Sequence, residues 1–328
     1  LGELNITDQT TVLRQILSGP KLVNAIEEHK EVLNASPVCM IPISEGNQKY
    51  ILTTFNDGSI KKIDLSGNVL LSVKHNISTL LCLEQKNGLV YFGTLSGAIG
   101  CLKLDDLSIS QQNSSLPQGS IIRIVLIDDT LFAASRNNAL YVFNINDLSK
   151  VSTVFTFTCA ISAICRVNDD GILYSLQNDS MFHFRRISDI NEEQLYHMNP
   201  NAFDIGAMDI RCLATCPTDS SVFVALTDKC SAYLYRLKKN ATEIEVLKVL
   251  THFVSDGLTQ PELLWNYPSA LIATSEDQTV VAVDIEHNTV AFKLTGWRKA
   301  TRCAAISDNT LVIGAFDKTV TTFRIETQ

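Results

Sequence analysis

The chain has 328 residues, 45% hydrophobic and 19% charged, with a formal net charge of −8. A chain this long buries a sizeable core, and its composition excludes a disordered or collagen-like protein. The negative charge repels phosphate backbones and anionic membrane surfaces on average, so neither nucleic acid nor a membrane is an expected partner; no apolar run reaches the ~20 residues that span a bilayer.

The first predicted element is a short helix. Thr7-Asp8-Gln9-Thr10 supplies a cap, Val12, Leu13, Ile16 and Leu17 form one apolar stripe, and Gly19-Pro20 stops it. Residues 1–20 are therefore read as a helical extension. Leu22 to Ile26 has two readings: a strand, or, with Leu33, the apolar face of a second helix.

From Tyr50 onwards one unit recurs seven times: an apolar strand, a tight polar turn and a second strand. The turns centre on Asp57, Ser96, Asn137, Asn178, Asp228, Asp277 and Asp317, short side chains that bond nearby backbone. Six residues beyond each stands an apolar residue: Ile63, Leu102, Phe143, Phe184, Leu234, Val283 or Phe323. Ile60, Ile99, Leu140, Met181, Val280 and Val320 lie three residues nearer the turn and point the other way, so both faces of these strands are expected to be buried. Successive turns are 39, 41, 41, 50, 49 and 40 residues apart, close to the ~40–45 of a four-stranded propeller blade. The two long intervals place insertions at Ser188 to Met208 and Lys238 to Glu262. A further apolar strand precedes the turn unit, as in Ile121–Leu126, Ala160–Cys165 and Cys303–Ile306, and is assigned to the wall of a central channel. The predicted fold is an all-β, seven-bladed β-propeller over residues 21–328 with a short N-terminal helix.

Asp57-Gly58-Ser59-Ile60-Lys61-Lys62-Ile63-Asp64 resembles the end of a WD repeat, with Ile63-Asp64 in the place of the Trp-Asp pair, and His29 looks like the histidine that opens such a repeat. The resemblance runs from about Leu22 to Ile325, but no unit has the Trp and only Asp64 and Asp284 keep the last Asp. It implies a ring closed by an N-terminal strand, for which Leu22 to Ile26 is the candidate, and a non-catalytic protein-interaction scaffold, a propeller subunit or domain of a larger intracellular assembly in cytoplasm or nucleus. Other proteins or peptides are the expected partners; a small-molecule substrate and a cofactor are not expected. The alternative class is a quinoprotein-like enzyme, whose blades look tryptophan-rich where this chain has only Trp265 and Trp297; phosphoinositide or nucleic-acid binding is the third reading.

Candidate sites are few. The six histidines are scattered, and Cys212 and Cys216 have no matching pair, so neither a zinc site nor a catalytic constellation is expected. The nine cysteines, mostly within apolar runs, read as buried free thiols of a reducing compartment; the glycosylation sequons at Asn5, Asn34, Asn76, Asn113, Asn178 and Asn240 are ascribed to chance. Asp128-Asp129 and Asp169-Asp170 fit solvated turns. Phe184-Arg185-Arg186 is similar to the start of the Phe-Arg-Arg-Gly signature of phosphoinositide-binding propellers, but Ile187 stands where the Gly belongs. The partner-binding candidate is Trp297, Arg298, Lys299 and Arg302, in the connection into the last blade. Trp and Arg are the types most enriched in interface hot spots. The competing reading packs Trp297 against its own blade while the cations reach for water. On the first reading, changing Trp297 and Arg298 together to Ala weakens partner capture without unfolding the protein.

Overall fold

The computed structural model describes residues 10–198, 209–238, 243–253 and 261–328. Its strands form seven four-stranded sheets. The first strands of these sheets are Pro37–Glu45, Leu80–Lys86, Ile121–Ile127, Ile161–Val167, Ile210–Thr215, Leu263–Tyr267 and Thr301–Ser307. Each touches the first strand of the next sheet, and Thr301–Ser307 touches Pro37–Glu45, so the seven sheets are the blades of a closed propeller whose first strands line a central channel. Blades are numbered 1 to 7 in that order.

The core is divided in the same way. Each interface between neighbouring blades holds its own apolar cluster, such as Phe182, Phe223 and Tyr235 between blades 4 and 5, or Leu52, Leu80 and Phe92 between blades 1 and 2. The third strands sit between two such clusters. Ile99–Lys103, Ala139–Asn144 and Val280–Asp284 are buried at every position but the last, which is why both residue parities along them are apolar. Where blades crowd most, the second strand carries glycine: a Cβ on Gly93 would stand 2.4 Å from Ile121 Cγ2 of the next blade, and one on Gly314 2.6 Å from Pro37 Cγ.

The turns explain their sequence. Asp57, Asp277 and Asp317 accept hydrogen bonds through Oδ1 from both the backbone N–H and the hydroxyl two residues on, at Ser59, Thr279 and Thr319. The intervening Gly58, Gln278 and Lys318 are left-handed at φ of +82°, +68° and +72°. For a side-chain-bearing residue that conformation costs about 1–2 kcal/mol, and the doubled acceptor offsets it. Two turns depart from the expected register. In blade 4 the hairpin is one residue longer, and Asp179 rather than Asn178 bonds forward, to Met181 N. In blade 5 the turn centres on Lys229, one residue beyond Asp228, because the Thr227 hydroxyl accepts from Lys229 N while Asp228 turns back to accept from Asp209 N.

The segment with two readings is a strand. Leu22–Val32 pairs antiparallel with Thr319–Thr327, from Leu22 opposite Thr327 to Val32 opposite Thr319, and is the fourth strand of blade 7. It runs past Ile26 and takes His29 with it, opposite Thr322, with the His29 ring against Gly67 in the turn that follows Asp64. Asp64 accepts from Ser66 N and Asn68 N in that turn. Residues 10–16 are helical. Val12 and Ile16 are buried in the cluster between blades 5 and 6, beside Cys216, Leu263 and Trp265, with Leu13 and Leu17 packed against it; of the predicted cap, Thr7, Asp8 and Gln9 lie outside the described residues. Each predicted insertion contains a fourth strand, Gln194–His197 and Ile244–Leu250.

Candidate partner-binding surface and central channel

Residues 295–300 connect blade 6 to blade 7. Three hydrogen bonds pin this loop: Lys30 Nζ donates to Gly296 O at 2.8 Å, Arg298 N to Asp317 Oδ2 at 2.8 Å, and Phe316 N to Ala300 O at 3.0 Å. Burial alone pushes the Asp317 carboxyl up, but the donors from Arg298 and Thr319 and the Lys30 charge more than offset this and hold it below the usual range. The four predicted residues are split by this arrangement. Arg298 and Lys299 are exposed, and Arg302 is half-buried on the first strand of blade 7 with its guanidinium 5.9 Å from the Phe316 ring. Trp297 is only 5% exposed. Its ring lies 6.0 Å from Phe323, inside the cluster between blades 6 and 7, and its Nε1–H has no acceptor among the described residues. The indole therefore packs the blade from within while the cations stand outside it.

The channel holds what the sequence reading missed. The first strand of a blade opens on a bulge, and the residue that follows it occupies an equivalent place: Cys39, Cys82, Arg123, Ala163, Cys212 and Cys303. In blade 6 that place is taken by Glu262, which exchanges hydrogen bonds with Thr274. The guanidinium of Arg123 crosses from blade 3 to meet Glu262 Oε1 at 3.2 Å and Cys212 Sγ at 3.7 Å. Beside the pair is a cavity of about 340 Å³ lined also by Glu84, Arg166, Thr215 and Cys165. Burial raises the thiols, Cys39 and Cys165 to about 12, so they stay protonated and are poor nucleophiles. The available signal was a charged residue standing where four other blades place cysteine.

Glu84 is a carboxyl of this channel held well above its ordinary range. Burial lifts it from 4.5 to about 7, and Glu262 adds to the rise against the opposing Arg123. A carboxyl that holds its proton more tightly when folded stabilises the fold fully below pH 4.5, and that contribution is lost as pH rises through 7. Glu84→Gln is expected to flatten this decline, so that the variant is the more stable protein above pH 7. Denaturant unfolding between pH 5 and 8 measures it; parallel stability curves for the two proteins would rule the effect out.

The other charged motifs are consumed locally. Arg185 is buried in blade 4, where Nε donates to Tyr174 Oη at 2.9 Å, Nη1 to Ile190 O at 3.0 Å, and Nη2 meets Glu193 at 3.0 Å. His183, also buried, has one ring nitrogen 3.0 Å from Asp179 and the other 3.1 Å from Glu193. Arg186 faces Asp170 at 3.7 Å, Arg166 faces Asp169 at 3.5 Å, and Lys86 faces Asp129 at 3.5 Å. Cys216 Sγ lies 3.4 Å from the Thr218 hydroxyl. Among the described residues no three His, Cys, Asp or Glu side chains are grouped to hold a metal ion, and no helix is long and apolar enough to cross a membrane.

Comparison of the sequence with protein-family models and with curated proteins finds no match.

Proposed function

We propose that this propeller is a non-catalytic protein-interaction scaffold of degenerate WD type, a subunit or domain of a larger intracellular assembly. The observation that carries the reading is the loop of residues 295–300, which holds Arg298 and Lys299 out in solvent while three hydrogen bonds and the buried Trp297 fix its backbone. Ordered backbone under exposed charged tips lowers the entropy lost when a partner docks. The closed ring supports the same reading, since it leaves connections on its rims free to vary while the blades stay rigid. Seven of nine free thiols are buried, which favours a reducing setting, cytoplasm or nucleus.

The test is quantitative co-purification with the wild-type chain and with R298E/K299E. Partner chains are expected to fall about tenfold in the variant, with its unfolding midpoint unchanged. Equal recovery from both proteins would exclude this loop as the docking surface, and a wild-type chain that brings down no stoichiometric partner would exclude the scaffold role.

A further inference from the structure

The turn at Phe316-Asp317-Lys318 is the centre of a cationic island on an acidic protein. Arg298 is tethered to Asp317, Lys30 lies close enough to depress the Asp317 carboxyl, Arg302 rests over Phe316, and Lys318 is itself exposed. The side chains of Arg298, Lys299 and Lys318 make no ion pair among the described residues, whereas elsewhere cations such as Lys21, Lys49, Arg236 and Lys238 meet a carboxylate within 2.7 Å. The one carboxylate built into the turn is already engaged by Arg298 N and by Thr319. At the edge of the island stands Val32, opposite Thr319 in the closing strand and 72% exposed. Uncompensated cations next to an exposed apolar side chain ask for a ligand with carboxylates and an apolar residue.

We infer that this island, Arg298, Lys299 and Lys318 with Val32 beside them, docks an extended partner segment rich in Asp and Glu that carries an apolar side chain. The inference rests on the scaffold reading and names the chemistry of its partner. Charge decides between a peptide and a larger polyanion. The chain as a whole carries −8, and opposing charges beyond about 8–10 Å are screened at physiological salt. A short acidic segment therefore meets only the island, while a duplex or an anionic bilayer also meets the surrounding negative surface.

The test uses the full chain and a fluorescein-labelled peptide in which Glu-Asp pairs alternate with Leu, followed by anisotropy. Saturable binding that weakens with added salt is expected, and it should fall at least about tenfold in R298E/K299E and in K318E. Replacing every Glu and Asp of the peptide by Gln and Asn should abolish it, and V32E should weaken it. All three variants change exposed side chains, and their unfolding midpoints serve as the control for folding. Absence of binding, or equal binding by wild type and the charge-reversed variants, overturns the inference. So does stronger binding of oligothymidylate or of phosphatidylcholine–phosphatidylserine vesicles than of the peptide. If the peptide fails while R298E/K299E still loses its co-purifying chains, the acidic partner falls and the scaffold stands; if both fail, the scaffold reading falls at this face too.

Discussion

Arg123→Leu is expected to cost about 3–5 kcal/mol of stability, the usual effect of removing one partner from a buried ion pair. The reason is what it leaves behind: Glu262 without the cation that meets it at 3.2 Å, and Glu84 in the same cavity without the charge that lowers its carboxyl. Glu262→Leu should cost less, because Arg123 then still has Glu84 to face. The double variant R123L/E262L should recover most of the loss, since an apolar pair of similar volume avoids the desolvation of both charges. Denaturant unfolding of the three proteins at pH 7 measures the cycle. If Glu262→Leu proves as costly as Arg123→Leu, Glu84 does not share the guanidinium.

Trp297→Ala should destabilise by about 3–5 kcal/mol, the range for truncating a buried aromatic. It empties the cluster that joins blades 6 and 7 and undercuts the ring against Phe323. Trp297→Phe should stay within about 1.5 kcal/mol of wild type: it keeps an apolar ring and removes an N–H that has no acceptor among the described residues, offsetting part of the lost volume. Thermal and denaturant unfolding separate the two. A near-neutral Trp297→Ala would mean that the indole does not pack where the structure places it. This burial argues against the expectation that W297A/R298A leaves folding intact, since the indole belongs to the core.

The rhythm of the hairpins was legible because it is set by local chemistry: short acceptors at Asp57, Asp277 and Asp317, then residues buried on both strand faces. Blade 5 slipped by one because Thr227, an equally good acceptor, stands next to Asp228, and a single sequence does not rank two adjacent caps. The channel was not legible for a different reason. Arg123 and Glu262 are almost half the chain apart and meet only because the ring closes, so no local pattern links them. Trp297 sat between two readings because a hot-spot indole and a buried one have the same flanking residues; only the position of Phe323 and the closing strand distinguishes them.

The joint between Leu22–Val32 and Thr319–Thr327 also sets a timetable. The strand that seals the ring leaves the ribosome some ~300 residues ahead of its partner, which at about 5–20 residues per second is a wait of roughly 15–60 s. Throughout that interval the nascent chain carries an unmatched edge and six or fewer assembled blades, the species most open to pairing with a neighbour on the same message. Demand for a holdase should therefore be concentrated in translation and end when the partner strand arrives.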